Sequence, residues 1–432
     1  MTRASRASVI LGLAFLTAAL VALGAAPLAG SAPGDPGLTP AGATLPHPQA
    51  RAWIVTEADT GEVVGSHLAD QPLPIASTTK LMTALLTLER LPLDRVVAAA
   101  VYHPLAAESV MGLRTGERLT VADLLRGLLL PSANDAAETL ADAVAGSVPA
   151  FVSEMNARAR QLGLAHTHYS NPVGLDSPSN YSSAADLVTL ARRDLTHPFF
   201  AQTVALRQVT LASGDGPRTL ENRNLLLGDA SYVRGVKTGH TSGAGYVLVG
   251  LARRHGVDVL SAALGDPIQS ARDADSLALL RYGLAAFARI TVVHAGQVLA
   301  RPRLSYRGSA RTALVASRGL AEVLRRGARP TISLSEVPSS LSGPVAAGHP
   351  EGVVIVRDAG RELARAALVT QRAVAGATLG QRLRDFLSRA VTLVLLAALV
   401  GCSLLLVLLR RRATRRRLEG TPARRRTREP IA

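Results

Sequence analysis

Apolar residues recur along this chain with two clear periods, and the changes between them mark its elements. Ala52-Trp53-Ile54-Val55-Thr56 predicts a strand, Asp59-Thr60-Gly61-Glu62 a tight turn, and Val63-Val64-Gly65 the returning strand. Pro74-Ile75-Ala76 is an extended approach to a helix that begins near Ser77. Leu81, Leu85 and Leu88, then Val121, Leu124, Leu125 and Leu128, keep helical spacing, so residues 81–150 read as mostly helical. Gly112–Glu117 interrupts them as a loop, and Thr120 stands where a helix cap belongs. A further helix is expected over Asp186–Arg193. Val233–Thr238, Tyr246–Ala252 and Val259–Leu264 then form three strands joined by Gly-rich and His-Gly turns, an antiparallel meander. A helix from Arg272 to Phe287, apolar at Leu277, Leu280 and Leu284, closes this region.

Beyond Phe287 the pattern becomes short strands separated by Gly and Pro: Ile290–Val293, Thr331–Leu334, Val353–Val356 and Ala366–Thr370. Residues 390–409 carry no charge over a length that spans a bilayer, and Arg410-Arg411-Arg412 follows at once. The positive-inside rule puts that tail in the cytoplasm and everything before the span outside. Leu379, Leu383, Phe386 and Leu387 share one face, so a helix is expected to run continuously into the membrane. At the other end, Arg3 and Arg6 precede an apolar run to Ala26, an export signal or retained N-terminal anchor. The expected organisation is therefore a signal at 1–26, a Pro/Gly/Ala linker at 27–50, a catalytic domain at 51–290, a small β domain at 291–372, a juxtamembrane helix at 373–389, a transmembrane helix at 390–409 and an Arg-rich tail at 410–432.

Composition alters this picture in two respects. The net charge of +16 suggests a nucleic-acid binder, yet +8 of it lies from Arg410 onward and +2 in the first 26 residues, leaving an ordinary +6 between. With aromatics at only 3%, stacking on bases is also excluded as a main binding mode, and no nucleic acid is expected as partner. The single cysteine, Cys402, permits no intrachain disulfide.

The second respect is chemical. Of 48 basic residues only two are lysine, Lys80 and Lys237; the rest are arginine. Guanidinium stays charged in proteins, whereas an ammonium can give up its proton when burial or a neighbouring cation lowers its pKa. A chain that uses lysine twice points to two chemical positions. Lys80 lies one helical turn after Ser77, so the pair can share a face, with the amine as base for an otherwise poor nucleophile. The start of the helix adds N–H groups where negative charge develops. Ser132 and Asn134 follow a proline between two helices; read alone, that pair is most simply a helix cap. His166 and His168 have no third ligand at a metal-binding spacing, and no metal or cofactor is expected.

Together Ser77-Thr78-Thr79-Lys80, Ser132-Ala133-Asn134 and Lys237-Thr238-Gly239 make a three-motif set that resembles the penicillin-binding proteins and serine β-lactamases. With Asn171-Pro172-Val173-Gly174-Leu175 and Lys237-Thr238-Gly239-His240-Thr241, the chain most resembles the low-molecular-mass D-alanyl-D-alanine carboxypeptidases over roughly 51–290, with a weaker match over 291–372.

The resemblance implies an α+β fold with an antiparallel sheet flanked by helices, a helical subdomain and a small all-β domain. It implies attack by Ser77 on the penultimate D-alanine, with Lys80 as base and Ser132 and Lys237 relaying the proton. Asn134 would hold the acyl amide. Lys237, Thr238, Gly239, His240 and Arg272 would bind substrate, and the N–H groups of Ser77 and His240 would form an oxyanion hole. Peptidoglycan stem peptides would be substrates and β-lactams inhibitors.

A β-lactamase shares the motifs but needs a dedicated deacylating carboxylate, and usually has Asp where this chain has Ala133. A DD-endopeptidase or transpeptidase on the same fold is a further alternative. A non-enzymatic wall-binding scaffold would have little use for both lysines.

Overall fold

The computed structural model describes residues 44–419, with side chains to Arg415; the expected export signal or N-terminal anchor, most of the expected linker and the end of the tail lie outside these residues. Five antiparallel strands form the central sheet: β1 (Ala52–Glu57), β2 (Val63–His67), β3 (Val233–Thr241), β4 (Gly245–Arg254) and β5 (Val257–Asp266), in the order β2-β1-β5-β4-β3. Successive side chains point to opposite faces, and here both faces are covered. Ile54, Val249, Leu260 and Ala262 enter one core, Trp53, Val55, Leu248 and Val259 the other. That is why these strands read as continuous apolar runs rather than alternating ones.

The first core holds the helical region: α1 (Lys80–Arg90), α2 (Val121–Leu129), α3 (Asn134–Ala145), α4 (Val148–Gln161) and α5 (Ala184–Leu195). Short polar side chains cap three of them: Thr120 accepts from Asp123 N, Ser147 from Ala150 N and Ser183 from Asp186 N. The second core packs α6 (Gln269–Ala286) on the sheet through Leu279 and Leu280. The meander and closing helix are as expected, with α6 beginning three residues earlier than Arg272.

Two expectations are corrected. Residues 81–150 are not mostly helical throughout: between α1 and α2 the chain makes two short strands, Val96–Ala98 and Arg118–Thr120, around a long irregular loop at 99–117. Asp135 holds that loop by accepting backbone N–H bonds from Met111, Gly112 and Leu113 at 2.9–3.1 Å, so side-chain hydrogen bonding rather than helical periodicity organises it. Gln49 N and Ala50 N, at the end of the expected linker, both donate to Asp275 on α6. The helix approaching the apolar span is not continuous. α7 (Leu379–Ser388), capped by Thr378 with Gln381, stops where Arg389 adopts φ −74°, ψ 132°, and α8 (Ala390–Glu419) starts afresh. A single extended residue breaks the hydrogen-bond ladder between an amphipathic helix and a uniformly apolar one.

After α6 the chain turns directly into a strand at Phe287–Val293, paired with Leu320–Arg325. A second five-stranded sheet follows, in the order Val298–Ala300, Leu314–Ala316, Arg361–Thr370, Pro350–Asp358 and Thr331–Ser335, around a core that includes Leu314, Val354, Val356 and Leu368. Arg325 ties this region to β2 through Glu62 and the Val63 carbonyl, both at 2.8 Å. α8 is long and apolar enough to cross a bilayer: its most apolar 18 residues within Ala390–Arg415 have a mean hydropathy of 2.9.

Candidate active site

Ser77 sits in a single 3-10 turn, Ala76–Thr79, that leads without a break into α1. Ala76 just before it has φ +46°, a left-handed conformation that strains a residue with a Cβ. Backbone from two directions closes on this turn. At Gly174, with φ +90°, a Cβ would lie 2.0 Å from Ala76 O and 2.9 Å from Ser77 N; at Gly239 on β3 it would lie 3.0 Å from Ser77 N. Only glycine fits at 174, and at 239 a Cβ would be tight, so the Asn171–Gly174 loop and the Lys237–Gly239 strand both abut the serine.

Lys80 is fully buried, and its amine has three neighbours: Ser77 Oγ at 3.0 Å, Asn134 Oδ1 at 2.6 Å and the Val173 carbonyl at 2.5 Å. Burial, and then the nearby Arg223 guanidinium, push its pKa from 10.5 down to about 7, while Glu108 and Asp135 act in the opposite sense. Lys237, also buried, donates to Thr238 O at 3.0 Å. Burial and then the charges of Lys80, Arg223 and Arg272 hold its pKa well below the usual lysine range. Both lysines of the chain are thus in one cationic neighbourhood.

Neither Ser132 nor Asn134 caps a helix: the residue at the cap of α3 is Ala133, which makes no side-chain cap bond. Ser132, at φ +69°, turns its hydroxyl into the interior, where Oγ is buried with no partner among the described residues. Asn134 bridges Lys80 and Glu108, accepting from the first and donating through Nδ2 to the second at 2.9 Å. Thr238 and Gly239 continue the strand past the serine. His240 is exposed, its ring stacked on Tyr246 at 4.0 Å, and the Arg272 guanidinium lies 5.8 Å from the centre of the Tyr246 ring. Arg272 is buried and paired with Asp273 at 2.6 Å. Hydrogen bonds therefore join Ser77, Lys80 and Asn134; Lys237 joins them through charge, while Ser132 and Lys237 make no bond to each other among the described contacts.

Sequence reasoning missed several neighbours. The Val173 carbonyl reaches Lys80 from a loop shaped by Asn171, whose Oδ1 accepts from the N–H groups of Val173, Gly174 and Leu175. Asp176 links that loop to the end of β3 by accepting from Thr241 Oγ1 at 2.6 Å and Gly243 N at 2.9 Å. Arg223 and Glu108 come from loops without periodicity, and no local signal marks them.

Comparison with known proteins identifies the family of the chain. Residues 40–268 match the family model of the S11 peptidases, described as D-alanyl-D-alanine carboxypeptidase. The D-alanyl-D-alanine carboxypeptidase DacD of Salmonella typhimurium is 32% identical over 352 residues, 78% of this chain and 89% of that protein. The chain belongs to the D-alanyl-D-alanine carboxypeptidase family. As a member of this family it is a serine-type carboxypeptidase acting on D-alanyl-D-alanine. Among solved carboxypeptidase-like structures, penicillin binding protein 5 from Haemophilus influenzae superposes with a TM-score of 0.57 at 29% identity, covering 77% of this chain and all of that one. It extends the likeness through the C-terminal β domain. The Streptomyces K15 DD-transpeptidase, 32% identical with a TM-score of 0.52, covers 56% of this chain and all of its own.

Proposed function

We propose that this carboxypeptidase removes the terminal D-alanine from peptidoglycan stem pentapeptides through an acyl-enzyme on Ser77, with uncharged Lys80 as the base. The hydrogen-bond set around Lys80 carries the reading. A neutral amine has two N–H donors and one lone pair. Two of its three neighbours, Asn134 Oδ1 and the Val173 carbonyl, can only accept, so they take both N–H groups. The lone pair is left for the third, the Ser77 hydroxyl at 3.0 Å. With a pKa of about 7, Lys80 is neutral in about half the molecules at neutral pH, where a general base works best.

In this reading Ser77 Oγ bonds to the carbonyl carbon of the penultimate D-alanine as its proton passes to Lys80. The oxyanion is met by the N–H groups of Ser77 and His240. Collapse breaks the C–N bond, and the proton returns through Ser132 and Lys237 to the departing amine. Water then hydrolyses the ester. The unpartnered Ser132 hydroxyl supports its place in the relay, since a buried polar atom without a partner is costly unless substrate or a moving proton completes it. Asn134 holds the acyl amide. Lys237, Thr238 and Arg272 attract the terminal carboxylate, and Gly239 and His240 complete the substrate-binding strand. α8 anchors the enzyme, with the catalytic domain outside the membrane and the Arg-rich tail in the cytoplasm.

The likeness to a Streptomyces DD-transpeptidase favours a second reading, in which an amine rather than water takes the acyl group. Incubating the full chain in detergent with a stem pentapeptide and an acceptor amine separates the two. D-alanine released without cross-linked product supports hydrolysis; cross-linked product supports transfer; release of neither overturns both. Labelled penicillin is expected to acylate the chain, and Ser77→Ala to abolish the adduct.

A further inference from the structure

We infer that Glu108 is a positioning residue for this reaction: it fixes the amide of Asn134 so that one of its N–H groups is left for the acyl carbonyl of the substrate. The inference rests on the reading of Ser77 and Lys80 given above.

Glu108 lies in the irregular loop at 99–117, and two contacts with the start of α3 deliver it to the site. Asn134 N donates to Ser109 O at 2.7 Å, and Asp135 collects the N–H groups of Met111, Gly112 and Leu113. The Glu108 carboxylate then accepts from Asn134 Nδ2 at 2.9 Å and from the Tyr102 hydroxyl. Burial would raise its pKa, but the Tyr102 and Asn134 bonds, with a backbone bond at Leu105 and the Lys80 charge, together hold it below the usual carboxylate value, so it is ionised at neutral pH.

An asparagine amide has an accepting end and a donating end, and the surroundings choose between its two orientations. Here both ends are specified. Lys80 presents an N–H and needs an acceptor; an ionised Glu108 can only accept and needs a donor. A flipped amide would lose both bonds and set oxygen against carboxylate. Nδ2 carries two hydrogens: Glu108 takes one, and the amide also interacts with the Tyr102 oxygen, a contact that an incoming amide carbonyl would take over. Because Asn134 stands between Glu108 and Lys80, the carboxylate acts through the asparagine and does not itself touch the reacting atoms. Tyr102 in turn holds Glu108.

The test compares acylation of the full chain by two β-lactams: benzylpenicillin, which has an acyl amide, and 6-aminopenicillanic acid, the same nucleus without one. Glu108→Ala is expected to slow benzylpenicillin by roughly tenfold, the worth of one neutral hydrogen bond, and the amide-free compound by far less. Glu108→Gln retains an accepting oxygen and is expected to restore most of the preference. Should Glu108→Ala fail to fold, Tyr102→Phe carries the same test, with a smaller fall in the ratio of the two rates. Equal slowing of both compounds, or a glutamine variant as impaired as the alanine one, would overturn the inference. A wild-type chain acylated by neither compound would overturn the reading of the site, and the inference with it.

Discussion

Between β1 and α6 the interior holds Lys80, Lys237, Asp123, Asp135, Asp194 and Asp266, all buried. In the β domain that follows, Thr370 is the one buried polar side chain among the described residues, and the core is Leu, Val and Ala. The β domain is what apolar burial gives when nothing else is asked of it. The catalytic half takes ionisable groups out of water, which is costly unless each is hydrogen-bonded or gives up its charge. Lys80 does both, with carbonyls for its hydrogens and a pKa near neutrality. The contrast places chemistry and stability in different parts of one chain, and substitutions can test that separation.

The largest effect is expected from Lys80→Met, which removes the base but keeps the volume. kcat/KM for D-alanine release should fall by roughly 10²–10⁴-fold, the usual contribution of a positioned base. Stability should not fall with it, because apolar replacements of buried charges are often neutral or stabilising. The sign with pH is fixed. The folded pKa of about 7 lies below the ordinary 10.5, so between these values the unfolded chain binds a proton that the folded one does not. Wild-type stability from this group therefore rises with pH across that window, and the Met variant's advantage in thermal unfolding should be greatest below pH 7.

Leu368→Ala, in the β-domain core, is the opposite case. A fully buried leucine cut to alanine should cost about 2–5 kcal/mol in denaturant unfolding of that domain. Peptide hydrolysis should stay at the wild-type rate under native conditions. A matching loss of activity would break the proposed separation.

Asp135→Ala probes the boundary between the two behaviours. It leaves three loop amides without their acceptor and should cost about 1–3 kcal/mol, judged by thermal unfolding. It should also lower the rate, since the same loop carries Glu108 to Asn134.

The smallest effect is expected from Arg223→Gln. Removing this cation takes away one influence that holds Lys80 down, so the acid limb of the kcat/KM profile should move to higher pH. A shift to lower pH would contradict the electrostatic account.

The sequence made the strands and helices of the catalytic half readable because burial on both sheet faces and on α1 leaves long apolar signatures. The rarity of lysine pointed to Lys80 and Lys237, which the structure buries in one cationic neighbourhood, because an arginine, unlike a lysine, cannot give up its proton there. What stayed hidden depends on contacts across the chain. Glu108 meets Asn134 from 26 residues away through a loop with no period, and Lys80 reaches a carbonyl 93 residues distant. A backbone carbonyl has no sequence signature at all. The break at Arg389 was equally unreadable, since the residues on both sides favour helix and one ψ angle separates them.

The claim that most depends on the geometry is that an uncharged Lys80 takes the Ser77 proton. The direct measurement is the rate of acylation of the full chain by labelled penicillin as a function of pH, with the adduct mapped to Ser77. The account predicts a rate that rises with pH and reaches half its plateau near pH 7, where Lys80 loses its proton. A rate unchanged from pH 5 to pH 9, or an adduct that survives Ser77→Ala, would contradict it.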